Sequence, residues 1–231
     1  VRGEESLKSV TLPEGLNFQQ VLATLRKADM LAPDTLGLSH EQIMGRLGRP
    51  GVHPEGRFFP DTYTYAKGSS DLEVLRRAAR AMDRRLAQAW EQRQADLPLR
   101  TPEQALILAS IVEKETGKPA DRPLIGGVFV NRLRLGMLLQ TDPTVIYGLG
   151  ERFDGNLRKR DLLTDTPYNT YTRAGLPPTP IAMPGKAALL AAVQPARTQA
   201  LYFVAKGDGG SHFSASLQEH NRAVNKYIRG Q

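Results

Sequence analysis

The chain predicts an α+β fold with helices dominant: a helix-rich C-terminal region with small strands and a hairpin, packed with a smaller N-terminal subdomain. Three observations predict it. Helix-start signals recur, with Ser or Thr followed three residues later by Glu or Gln at Ser70/Glu73, Thr101/Gln104 and Ser216/Glu219. Two short apolar runs flank Gly207-Asp208-Gly209-Gly210, a hairpin-turn signal. The stretch from Arg152 to Pro184 is rich in Gly, Pro, Asn and Thr and has little periodicity, so it reads as a long polar loop of the kind that often binds ligands. The boundary falls near Asp96–Thr101, dividing the chain into 1–97 and 98–231.

The elements follow in order. Ser9–Leu12 reads as a short strand ended by Pro13-Glu14-Gly15, and Asn17 caps a helix through about Lys27 with Val21, Leu22 and Leu25 inward. Ser39 caps a short helix near Glu41–Leu47, and residues 48–56 are turn-rich. Phe58, Phe59, Tyr63 and Tyr65 surround Pro60-Asp61-Thr62, either as packing between subdomains or as a sugar-binding rim. Ser70 opens a long helix to about Gln94, Asp96–Arg100 links it to the next, and a further helix runs from about Ala120 to Leu135. Asp142 is positioned to cap a short helix after Gln140-Thr141. Lys186–Val193 is an apolar helix, Leu201–Ala205 and His212–Ser214 form the hairpin, and Ser216 starts the terminal helix. There is no internal repeat and no low-complexity segment.

The segment Leu106–Thr116, LILASIVEKET, carries the chemistry. Thr101 serves as N-cap with Pro102 at the first helical position, so the residues to Glu115 read as one helix. At ~100° per residue, Ala105, Leu108, Ile111, Val112 and Glu115 share a side, whereas Glu113 points elsewhere. A carboxyl held against apolar neighbours loses hydration, and its pKa rises. Such a Glu stays protonated near neutral pH and can act as a general acid. A structural Glu paired with Arg or Lys would show the same pattern, and Glu113 is a rival because helix phase is less defined near a C-terminus.

Composition bounds the rest. At 231 residues and 40% hydrophobic content the chain has room for one large domain or two modest ones. No run of ~18 apolar residues occurs, so no spanning segment is predicted. The chain starts at Val1 without a signal peptide and is expected to be a fragment or a processed form. With zero cysteines there is no disulfide or thiolate chemistry, and without clustered His or carboxylates no metal or other cofactor is predicted. The net charge of +7 invites a polyanion, either nucleic acid or the carboxylate-bearing stem peptides of peptidoglycan. The basic residues are scattered, with Arg76, Arg77, Arg80, Arg84 and Arg85 on one solvated helix face, and no nucleic-acid signature appears. Nucleic acid is therefore not the expected partner. His212 and His220 are possible proton carriers on separate elements.

ILASIVEKETG is followed by VFVNRLRLGMLLQTDPTVIYGLGER, TPYNTYTRAGLPPTPIAMPG and LYFVAKGDGGSHFSASLQEHNRAV, after the upstream TLPEGLNFQQVLATL and EGRFFPDTYTY. This ordered set, spanning nearly the whole chain, resembles the MltG (YceG-like) family, the endolytic murein transglycosylases of bacteria. The resemblance implies that 98–231 is the catalytic domain and that it cuts the β-1,4 bond between N-acetylmuramic acid and N-acetylglucosamine without water, leaving 1,6-anhydromuramyl ends. The family position followed by Thr corresponds to Glu115, which would serve as acid and then base. Asn131, Arg132, Gln140, Thr141, Asp142, Tyr168, Asn169, Thr170 and Tyr171 offer amide, hydroxyl, charged and ring groups suited to a sugar, and each has turn hydrogen bonding as its structural alternative.

The implied partners are peptidoglycan glycan strands and cell-wall synthase complexes. The implied location is the inner membrane, held by a single-pass anchor that precedes a LysM-like region upstream of Val1, with the catalytic domain facing the periplasm. Other classes stay open: a glycan-binding scaffold without catalysis, a hydrolytic muramidase using a second carboxylate such as Asp142 or Asp61, and a nucleic-acid binder.

Overall fold

Alternation of β-prone residues builds the first sheet. The computed structural model describes residues 6–231. Strand β1 (Leu7–Thr11) begins before the expected Ser9 and pairs antiparallel with β2 (Thr62–Ala66), placing Val10 opposite Tyr63. In the TYTYA sequence of β2, Tyr63 and Tyr65 turn inward while Thr62 and Thr64 face out. Phe58 and Phe59 are buried as well, so the aromatic segment is core packing rather than a rim.

Capping decides where the helices begin. Asn17 and Ser39 accept from Gln20 and Gln42 at the starts of α1 (Phe18–Arg26) and α2 (His40–Arg46), and both boxes are reciprocal. Of the three predicted boxes, none closes on its own cap. Ser70 of α3 (Asp71–Glu91) accepts from Leu72, while Glu73 turns to Arg76. At α4 (Pro102–Glu115), Gln104 donates to Thr101 but its side chain accepts from Arg100, the donor one residue upstream. At α9 (Leu217–Val224), Glu219 likewise reaches past the cap Ser216 to the N–H of Ala215. Each side chain satisfies the nearest orphan donor or a cation instead of the one the pattern names.

Between α4 and α9 the chain forms α5 (Arg122–Leu135), α6 (Asp142–Leu149), α7 (Lys159–Leu163) and α8 (Lys186–Val193). The antiparallel hairpin of β3 (Tyr202–Ala205) and β4 (Ser211–Ser214) comes next. Helix α7 lies inside the stretch expected to be irregular, started where the Arg158 N–H donates to the Asp161 carboxylate. Thr141, not Asp142, is the N-cap residue of α6, and Asp142 is its first helical residue, ahead of Pro143.

Two hydrophobic cores result. The smaller gathers β1, α1, α2, β2 and the first half of α3, and the larger surrounds α4 with the second half of α3, α5 and α8. Residues 105–112 of α4 are all buried, so this helix has no solvated face along that stretch. Its neighbours approach at backbone distance. A Cβ on Gly126 of α5 would lie 2.4 Å from the Ala191 carbonyl oxygen of α8, and one on Gly117 would lie 2.2 Å from that of Gly209 at the hairpin tip. The arginines of α3 lie on its outer side, where Arg77 sits over the Tyr63 ring and Arg85 over Phe59. Among the described residues no helix is long and apolar enough to cross a membrane.

The cores are joined at Met183, which belongs to the smaller core and exchanges backbone hydrogen bonds with Gly15 and Leu16. Glu55 is a second joint. It is 4% exposed and accepts from the Phe18 N–H at the start of α1 and from the Tyr147 hydroxyl of α6, both at 2.9 Å. Burial pushes its pKa from the ordinary 4.5 up to about 7, against the lowering effect of these bonds.

Two outcomes follow from this packing. Gly126→Ala should cost about 1–3 kcal/mol in urea unfolding, because the added methyl meets backbone rather than a side chain that can swing away. Between pH 4.5 and about 7 the native state holds a proton on Glu55 that the unfolded chain has released, so Glu55 makes stability fall as pH rises. Glu55→Gln, whose amide can still accept from Phe18 and donate to Tyr147, should remove roughly 3 kcal/mol of the parent's loss between pH 4 and pH 8.

Candidate active site

The apolar run of α4 ends in two acids that the helix sends to different places. Glu113 accepts from the Gly185 N–H at 2.9 Å and lies 3.8 Å from the Arg122 guanidinium, at the joint between the cores. Burial is the main cause of its raised pKa, with Glu14 adding to it. Glu115, the last residue of α4, lines a cleft of about 580 Å³ formed with α5, the 139–142 segment, Tyr171, the hairpin and α9. Burial pushes its pKa up to about 7; the Thr141 hydrogen bond opposes the rise and the Asp142 charge adds to it. The C-terminal end of a helix also disfavours an anion. This acid therefore holds its proton up to about pH 7, well above the ordinary carboxylate range.

The hydroxyl that meets it is held from behind. Thr141 donates to Glu115 Oε1 at 2.6 Å. Its own N–H donates to Thr170 Oγ1 at 3.0 Å, and the Thr144 hydroxyl bonds both the Thr141 carbonyl and Thr170 Oγ1. All three threonines are buried. The preceding Gln140 adopts a left-handed φ of 50°, which turns the chain into the cleft. Asp142 also lines the cleft and accepts from the Tyr171 hydroxyl.

Of the residues singled out in the sequence, Arg132, Gln140, Asp142 and Tyr171 line the cleft with Glu115, and Thr141 meets Glu115 through its hydroxyl. Arg132 is 7% exposed and donates to the carbonyls of Leu201 and Leu138, bracing the wall while its guanidinium packs on Tyr202. The others stand behind the wall or away from it. Asn131 donates to the carbonyls of Thr198 and Ala200 and lines a separate groove with Arg134 and Arg197. Asn169 is fully buried, donating to carbonyls of Leu162 and Thr164 and accepting from the N–H of Tyr171, so its amide closes the loop instead of facing solvent. Thr170 backs Thr141, and Tyr168 bonds Thr179 at 2.7 Å with its ring against Tyr147. Asn131, Tyr168, Asn169 and Thr170 thus each make hydrogen bonds within the fold. Asp61 lies in another groove beside Arg84 and Arg85.

The cleft also includes Tyr202, Phe203, His220 and Asn221, of which the sequence alone singles out only His220, as a proton carrier on the terminal helix. Their signal was the adjacency of the hairpin to the EHN stretch of α9, which becomes meaningful only when β3 folds beside α5. Glu55 had no sequence signal, being a lone acid in a turn-rich segment. Among the described residues no group of three or more His, Cys, Asp or Glu could hold a metal ion.

The arrangement supplies one protonated carboxylic acid, a hydroxyl partner that stabilises its anion, a second carboxylate, and aromatic surface along an open groove. The chain is similar to known proteins over most of its length. A model of the YceG-like family matches residues 1–226. The endolytic murein transglycosylase of Bacillus subtilis is 41% identical over 177 residues, covering 76% of this chain and 49% of that protein. That of Streptococcus pneumoniae D39 is 33% identical over 183 residues, covering 77% and 33%. The chain thus spans about half the length of the first and a third of the second. A crystal structure of a putative yceG-like protein from Listeria monocytogenes superposes with a TM-score of 0.75 at 30% identity, covering 93% of this chain and 74% of that one. With the family model matching nearly every residue and this neighbour sharing its fold, the chain belongs to the YceG-like family.

Proposed function

We propose that this chain is the catalytic part of an endolytic lytic transglycosylase acting on peptidoglycan glycan strands. The observation that carries the reading is the desolvated Glu115, its pKa raised to about 7, on the wall of an open cleft, joined to relatives named for that activity. Glu115 gives its proton to the glycosidic oxygen as the C1–O4 bond of the muramyl residue breaks. The muramyl 6-hydroxyl attacks C1, forming the C1–O6 bond, and its proton passes to the Glu115 carboxylate. No water is consumed and the acid is restored, so one residue serves both steps. Thr141 lowers the cost of the transient carboxylate, Asp142 offers negative charge to the oxocarbenium-like centre, and Tyr171 with Tyr202 supplies ring surface for the sugar.

In this reading the partners are nascent strands beside the cell-wall synthases, and cutting them sets glycan length. An anchor upstream of residue 1 would hold the domain on the outer face of the inner membrane. Asp142 in the same cleft favours one second reading, hydrolysis with Asp142 activating water.

Mass spectrometry of uncrosslinked glycan strands tests both. The parent should yield anhydromuramyl ends, lighter by one water than reducing ends, and Glu115→Gln should lower the rate by about 10²–10⁴-fold. Reducing ends would replace the first reading with the second. In kcat/KM against pH, activity should fall as pH rises through about 7, where Glu115 loses its proton. Thr141→Val removes a donor to the carboxylate, so this alkaline limb should move to higher pH while the rate drops about tenfold.

A further inference from the structure

His220 sits on α9 in the wall of the Glu115 cleft. Its ring stacks on Tyr202 with centroids 5.1 Å apart and planes at 22°, and the Arg132 guanidinium packs on the same tyrosine at 5.0 Å. Its Nδ1 is buried and has no hydrogen-bond partner among the described residues. A buried N–H without an acceptor is costlier than a buried lone pair, so the ring carries its proton on Nε2. Burial, and then the Arg132 and His212 charges, lower the His220 pKa and keep the ring neutral. A phenylalanine would stack equally well here without stranding a nitrogen. The imidazole therefore weakens the fold slightly at a position where its remaining polar atom can serve only something outside the fold.

We infer that His220 is a substrate-contacting residue that donates its Nε2–H to an acceptor oxygen of a saccharide bound in the cleft, an N-acetyl carbonyl or a ring hydroxyl, with Tyr202 and Arg132 fixing the plane of the ring. The inference rests on the glycan-strand reading of the cleft. It gives α9, which has no part in holding Glu115, a direct role in binding.

The test measures binding rather than turnover. Calorimetric titration of uncrosslinked glycan strands into the 231-residue chain carrying Glu115→Gln gives the reference affinity. Adding His220→Phe, which keeps the stacked ring, or His220→Met, which fills the space of Gln without a donor, should weaken binding about tenfold. His220→Gln, which returns an N–H near the Nε2 position, should stay within about threefold of the reference. Thermal unfolding should show the Phe variant melting no lower than its parent, since a buried unpaired nitrogen has gone. Equal affinities for Phe, Met and Gln would overturn the inference, and so would an unaltered affinity in the Phe variant. Absence of strand binding by the Glu115→Gln chain would also overturn it. Strand binding through His220 by a chain that forms no anhydromuramyl ends would instead retain this contact and discard the transglycosylase reading.

Discussion

The burial of α4 is the constraint on which the rest depends. A helix without a solvated face along its apolar length must be enclosed by other elements, and here α3, α5 and α8 enclose it. The enclosure is close because Gly126 lets α5 approach the α8 backbone, while Gly117 lets the hairpin tip reach the end of α4. The hairpin in turn forms a wall of the cleft. Packing at the core thus sets the position of the last α4 residue and, on the opposite side, of the strand that faces it. The raised pKa of Glu115 is a consequence of that enclosure, since removing water from a carboxyl favours its neutral form.

Three acids share this electrostatic condition and differ in what meets them. Glu55 has both oxygens occupied, by a backbone N–H and a tyrosine hydroxyl, and works as a joint between the cores. Glu113 is held by the Gly185 N–H and faces Arg122. Glu115 meets the Thr141 hydroxyl and opens onto a groove. A raised pKa alone therefore does not identify an acid catalyst. Glu115 combines a raised pKa with a place on an open cleft, whereas its neighbour two positions away is held against Gly185 and Arg122, and the proposed acid role of Glu115 rests on that difference.

Support for the Glu115–Thr141 pair comes from distant segments. Thr170 and Asn169 hold Thr141 and the loop around it, and Arg132 braces the adjacent wall through the carbonyls of Leu138 and Leu201. A loop rich in polar residues thus uses many of them on its own backbone. Several residue types suited to sugars serve here to satisfy buried carbonyls and N–H groups. The groups that do face the groove come partly from aromatic strand and helix positions of the C-terminal hairpin and α9.

Local chemistry was legible in the sequence. The cap at Asn17, the helix from Pro102 to Glu115, the apolar α8 and the glycine-rich hairpin turn depend on residues a few positions apart, and the chain alone determined them. Strand β2 was hidden because its partner β1 is some fifty residues upstream, and short strands declare themselves only when paired. Helix phase placed Glu115 on an apolar side, but in a helix buried all round both terminal acids are desolvated, so phase could not choose between them. Tertiary structure made that distinction by setting Gly185 and Arg122 against Glu113 and a groove against Glu115. It likewise turned Asn131 to a separate groove, withdrew Asn169 into the scaffold and brought His220 to the cleft, because which side chains meet across a groove depends on how helices pack, not on where they lie along the chain.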